Sequence, residues 1–449
     1  MAMDLGYFRV VRGSRKLTAQ ALKDKDEPAM KPFCVIVLAL SILGLSACGP
    51  GLQSSQSLQA KLLFSLDYGL QDRMIGLPEG MAREVELYMR EGIFHVLDPV
   101  SKKILRTSSY GDLLSIIYDA EALSWPVSGQ SQPIATDKAA ITVAENGGRY
   151  TVFTDFIQPS RLSVDSSQRI YVADRLANPD FAVFDPMTES YYDWIIRRFG
   201  EKGLELQFIG REGILGSAFP KILGIDCLSD DSIVVMATTG LFYSVYRFSN
   251  DGMLLSSLGI DSASLPVPLE LLGTNADEES IGKIHVDLEG IIPMLSTSGF
   301  DVVLKLSYYR EVFSFDASVL VGLEDSGSWL FSMDGRTGSQ KFGFKLEPTE
   351  SANKEWELLG VYKEGFLLVS QQPYAPEILG DTNSQQLESE ARGMLRFVDH
   401  SGKTLYSASL HFPGAEGFLR SLRLSSTGQL YGIFLEKDKA KILWWEIPL

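Results

Sequence analysis

Short apolar runs rich in Val, Ile, Tyr and Phe recur from residue 60 to the end of the chain, broken by turns of Asp, Asn and Gly. Within each run apolar and polar positions alternate, the pattern of a half-buried strand. Long stretches with helical spacing are scarce. Stacking the runs exposes a repeat in which a strand, a turn and a second short strand follow one another. The copies are Phe94–Thr107, Phe181–Asp193, Ser244–Ser257 and Leu395–Ser407, with a weaker pair at Val303–Phe315 and Leu330–Phe344. A second hairpin precedes most copies, at Leu162–Asp174, Ile222–Ala237, Ile284–Leu295 and Leu422–Leu435. Two hairpins per unit make a four-stranded sheet, and six or seven such sheets around an axis make an all-β propeller. Seven blades is the preferred count, and six follows if the weak pair is a single blade.

The chain ends support closure of the ring. Ala440–Leu449 has only part of a unit before it, and Ala60–Gly69 has no partner hairpin of its own. Pairing the N-terminal strand as the outermost strand of the C-terminal blade removes both free edges. The spacing of the copies is irregular, so some linkers carry insertions, the largest being Trp125–Asn146 and Gln371–Arg392. Strand alternation places the rings of Trp444 and Trp445 on opposite faces of the closing strand.

Val164-Asp165, then Ile170-Tyr171-Val172-Ala173-Asp174, Asn178, Val183-Phe184-Asp185 and Phe199-Gly200 follow one another within residues 161–226, and this order resembles the repeat of NHL propellers. The linker from Ile209 through Phe219-Pro220 to Ile225-Asp226 follows the same pattern. The resemblance covers about one and a half blades and implies the propeller fold. It leaves activity open, because fold does not fix function. Some NHL-like propellers are metal-dependent lactonases or lyases.

Ahead of the repeats, Met30-Lys31 supplies a short positive region and Phe33–Gly44 an apolar run too short to span a bilayer. Leu45-Ser46-Ala47-Cys48 follows and resembles a bacterial lipobox. The resemblance implies that Cys48 is acylated and becomes the first residue of the mature chain. The chain is thus similar to NHL-type propeller lipoproteins of bacteria, held outside the cytoplasm at the inner or outer membrane or the cell surface. Residues 1–29 fit no part of such a signal and are expected to be a gene-model extension or disordered. The expected organisation is a signal peptide over 30–47, a flexible Gly/Ser/Gln tether over 48–59 and a propeller over 60–449.

The formal charge of −16 opposes phosphate backbones, which argues against nucleic acid as a partner. Residues 1–47 hold 7 Lys/Arg and 4 Asp/Glu, so their removal makes the remainder more negative still. Cys34 lies in the signal and Cys48 is the acylation site, which leaves Cys227 alone and expected as a buried thiol. Asp165, Asp174, Asp226 and Asp287 recur near strand ends, with His285 beside Asp287. They are the candidates for a metal site in a central channel, although Asp in a tight turn commonly caps its own backbone. His95, His285, His400 and His411 show no metal-ligand spacing, and no nucleophile elbow or phosphate loop is present. No motif calls for a cofactor. The expected function is a membrane-anchored binding or scaffold module for a protein, peptide or glycan. A metal-dependent hydrolase or lyase using the channel is the alternative.

Overall fold

Strands that alternate in polarity pair antiparallel with their sequence neighbours here, and they do so in six four-stranded blades. The computed structural model describes residues 56–76, 85–119, 144–146, 149–271, 283–313, 320–349, 355–363, 365–371, 393–412 and 417–448. The signal sequence and Cys48 lie outside the described residues, as do 372–392 and most of 125–146. Blade 1 runs Glu86–Arg90, Ile93–Asp98, Lys103–Thr107 and Leu113–Asp119. Blade 2 runs Leu162–Val164, Ile170–Arg175, Trp194–Phe199 and Glu205–Ile209. Blade 3 runs Lys221–Cys227, Ile233–Thr238, Phe242–Phe248 and Leu254–Asp261. Blade 4 is built from longer strands: Ile284–Ser296, Gly299–Phe313, Leu320–Asp334 and Gln340–Lys345. Blade 5 runs Glu357–Tyr362, Gly365–Gln371, Gly393–Asp399 and Thr404–His411. Blade 6 runs Phe418–Leu424, Leu430–Leu435 and Lys439–Trp445, and takes its fourth strand, Lys61–Asp67, from the other end of the chain.

That borrowed strand closes the ring as expected, running antiparallel to Lys439–Trp445 with Lys61 opposite Trp444 and Leu66 opposite Ala440. Six apolar clusters then fill six seams. Blades 1 and 2 meet through Leu97, Ile117, Leu162 and Val172, and blades 2 and 3 through Tyr171, Ile196, Ile225 and Phe248. Val234 and Leu258 pack on Val302 and Phe331 between blades 3 and 4, and Val303 and Leu330 on Phe366 and Val398 between blades 4 and 5. Leu367 and Leu395 meet Leu430 and Trp445 between blades 5 and 6, and Phe64 and Ile442 meet Leu87 and Phe94 between blades 6 and 1. Each fully buried side chain of this size contributes ~1.5–3 kcal/mol, so the seams, and not any one blade, hold the molecule. Trp445 is fully buried in the seam of blades 5 and 6, while Trp444 packs at the margin of the next seam. Among the described residues no helix is long and apolar enough to cross a membrane.

Three features depart from the sequence reading. The preferred count of seven gives way to six, because Val303–Phe315 and Leu330–Phe344 fall in one sheet. Its second and third strands are 15 residues each, far beyond the usual ~5–6, so one blade carries the hydrophobic pattern of two. The run Phe181–Asp193 is not part of a blade: Val183–Asp185 and Ser190–Tyr192 form their own two-stranded hairpin, and Trp194–Phe199 supplies the blade's third strand. Finally, the segment expected as tether joins the body before residue 60. Gln56–Gln59 runs parallel to Thr404–His411 as a fifth strand of blade 5, with Leu58 opposite Leu410. The amide of Ala60 donates to the carbonyl of His411, so residues 56–67 form one strap across the outer edges of blades 5 and 6. Blade 1 is widened in the same way by Arg149–Thr154, parallel to Leu113–Asp119, and by Ala144–Asn146 beyond it.

Candidate functional site in the central channel

The first strands of blades 1, 3, 4, 5 and 6, with Arg161 just ahead of blade 2, line a cavity of about 1280 Å³. Its wall is divided. Blades 1, 2, 3 and 6 contribute charge. Glu86 of blade 1 accepts from Arg161 at 2.6 Å and from Arg423 of blade 6 at 2.7 Å. Arg423 lies over the ring of Tyr88, 5.4 Å from its centroid. Asp226 of blade 3 joins the same wall; its enclosure raises its carboxyl pKa, against the pull of Arg423 and Arg90. Arg90 also approaches Asp231 at 3.5 Å. Arg423 is held firmly cationic, because the attraction of Glu86 and Asp226 outweighs the cost of its burial. The Tyr431 phenol is pushed up to about 12 by burial and donates no charge to the channel at neutral pH.

The opposite wall is mostly apolar, formed by Ile292 of blade 4 and Leu359 and Val361 of blade 5. Two carboxylates interrupt it. Glu289 holds the buried Lys305, and Glu357, raised by enclosure, feels both Lys305 and Arg420. The channel therefore offers a ligand fixed guanidinium and carboxylate groups on one side and aliphatic surface on the other. Such a mixture of a few oriented polar groups with apolar walls is the usual make-up of a binding cavity. Arg161, with its side chain 41% exposed, is the most accessible cation whose pairing is fixed here.

The five residues picked out by sequence do not converge. Asp165 is fully buried in the first turn of blade 2, where it accepts from the amide and guanidinium of Arg169 and from the Tyr171 hydroxyl. Asp174, also buried, accepts from the amides of Ile157, Gln158 and Arg175 and from Arg197; burial raises its carboxyl despite these partners. Both carboxylates organise blade 2. Asp226 alone of the five lines the channel. His285 pairs with Glu311 at 2.8 Å on blade 4, and Asp287, two residues on, is exposed. Among the described residues no three His, Cys, Asp or Glu side chains gather as ligands for an ion. Cys227 is a buried free thiol, and burial pushes its pKa well up, which leaves it a poor nucleophile.

Glu86, Arg161, Arg423 and Glu357 were missed. Their signal was available: each is a charge beside or inside a strand in which apolar and polar residues mix, as in Glu86–Arg90 (ELYMR) and Phe418–Leu424 (FLRSLRL). A charge there faces either solvent or the axis, and only the ring decides which.

No protein family and no curated protein matches the chain. Among solved structures it is similar to hydrazine synthase of Kuenenia stuttgartiensis, at 11% identity and a TM-score of 0.36, over 80% of each chain. It is also similar to a structure titled AfRom2 CNH domain, at 12% identity and a TM-score of 0.32, over 87% of this chain and 99% of that one. Neither likeness is close enough to transfer an activity, and the propeller stands on its own six sheets and their seams.

Proposed function

We propose that this chain is a lipid-anchored module of the cell envelope that binds a protein, peptide or glycan in its central channel. The observation that carries the reading is the divided wall, Arg161, Glu86 and Arg423 facing Ile292, Leu359 and Val361 across a rigid cavity. Fixed donors and acceptors beside aliphatic surface suit a ligand with polar groups on one side, and rigidity lowers the entropic cost of taking it. The lipobox-like Leu45–Cys48 supports the anchor, and the NHL-like residues of blade 2 support kinship with propeller lipoproteins. From Cys48 to the strap at Gln56 the reach is at most about 28 Å at ~3.5 Å per residue, so the body rides close to the membrane that holds it.

Two measurements test this. Labelled palmitate is expected to enter the wild-type chain and not Cys48→Ser, and the variant is expected in the soluble fraction. The detergent-purified full chain, screened on peptide and envelope-glycan arrays, is expected to bind a discrete set of ligands, with at least tenfold weaker binding for Arg161→Ala. Binding that ignores Arg161→Ala would move the site off the channel. A wild-type chain that takes up no palmitate would remove the anchor.

A further inference from the structure

The hairpin inserted between the second and third strands of blade 2 pairs with no strand of that blade. The same connection in blade 1 needs only residues 99–102, whereas blade 2 spends residues 176–193 on it. This excursion exposes Phe181 (69%), Phe184 (48%), Met187 (85%) and Tyr191 (61%). The hydroxyl of Ser190 donates to the carbonyl of Thr239 at 3.1 Å, which ties the hairpin to the turn of blade 3 carrying exposed Leu241 and Phe242. None of these six large apolar side chains lines the channel, although Thr238 and Gly240 beside Leu241 do.

The hairpin is held across its strands and at its base. The rings of Phe184 and Tyr191 pack 4.9 Å apart, Tyr192 is buried beneath them, and the amide of Leu176 closes the base onto the carbonyl of Asp193 at 2.8 Å. Arg175 braces the base through Asp193 and the Trp194 ring. A preformed knob of aromatic and Met side chains has the composition of an interface hot spot and little ordering cost left to meet on binding.

Charge selects the occupant. Residues 176–193 contain Asp180, Asp185, Glu189 and Asp193 and no Lys or Arg, on a chain of net charge −16. Anionic headgroups would be repelled by this rim. A two-fold contact between copies would bring Asp180 and Glu189 toward their own equivalents. We infer that Phe181–Tyr192 is a docking knob for a second protein, one presenting an apolar cleft with a Lys/Arg rim. The inference goes beyond the channel and does not depend on what the channel binds.

The test places a photoreactive phenylalanine analogue at Met187 of the full chain in the producing cells, with Tyr110, exposed on a turn of blade 1, as the control position. The expected result is one protein adduct at Met187, absent at Tyr110, whose crosslinked peptide borders Lys or Arg. That partner, once purified, is expected to bind the full chain at least tenfold more weakly after Phe184→Ser, and more weakly as salt rises. Replacing residues 177–192 by a four-residue turn is expected to abolish binding, leave the thermal transition within a few degrees and leave array binding by the channel intact. Equal crosslinking at both positions, adducts to lipid or to a second copy, a partner indifferent to Phe184→Ser, or unfolding of the turn replacement would each overturn the proposal. None of these outcomes bears on Arg161 and the channel, so the two readings fail separately.

Discussion

His95 is fully buried between Tyr88 and Arg106 on neighbouring strands of blade 1. Burial, helped by the Arg106 guanidinium, lowers its pKa from 6.5 to about 3. The unfolded chain therefore takes up a proton on this ring well before the folded one does. The stability tied to a neutral His95 is complete above pH ~6.5 and is lost as pH falls toward 3, at about 1.4 kcal/mol per pH unit. Urea titrations from pH 7 to pH 4 are expected to show that slope in the wild type and to lose it in His95→Phe. An unchanged slope would mean that the ring is hydrated or paired. The alternation of Phe94–Thr107 marked a strand, but it could not show that both faces of Ile93–Asp98 are covered, which is what buries His95. Nor could it show Arg106, because cross-strand neighbours depend on register, which sequence spacing leaves free.

At the scale of elements, the turns were read well and their contacts were not. In blade 6 the turn between Leu424 and Leu430 places Gly428 at φ +81°, where an added Cβ would lie 2.6 Å from the Tyr362 ring of blade 5. Gly92 has a similar φ of +78° and open space around it. Gly92→Ala is expected to cost about 1 kcal/mol, the conformational share alone. Gly428→Ala is expected to cost about 2–3 kcal/mol, since the strained φ and the clash add. Equal losses in denaturant titrations would show that Tyr362 moves aside freely. The four-stranded unit and the closing strand were legible because alternation and turn residues are local. The hairpin at Phe181–Asp193 was not separable from a blade strand for the same reason: Val183-Phe184-Asp185 has a strand's pattern whether or not a sheet receives it. Similarly, Gln56–Gln59 looks like linker because its polar side chains project from an edge that only blade 5 supplies. The channel charges required the ring itself, since Glu86, Arg161, Asp226 and Arg423 come from four different blades or their approaches.

For the whole molecule, stability is circular: six seams support one another, and the strap is where the circle is fastened. Deleting residues 1–59 is expected to remove Leu58 from the seam of blades 5 and 6 and cost about 1.5–3 kcal/mol while leaving one cooperative transition. Deleting residues 1–68 uncovers the whole edge of Lys439–Trp445 and takes Phe64 and Leu66 from the adjoining seam. That truncation is expected to abolish the single thermal transition and to aggregate, because the freed edge is a template for strange strands. A retained transition would contradict closure by the N-terminal strand. The strap also decides how the body answers a pull. Tension entering at Gln56 runs along the length of strands bonded to two separate blades. Their hydrogen bonds are then sheared as a group, where a perpendicular tug would peel them one by one. Any leash that pulled along this strand axis would load the clasp in shear, the stronger of its two directions.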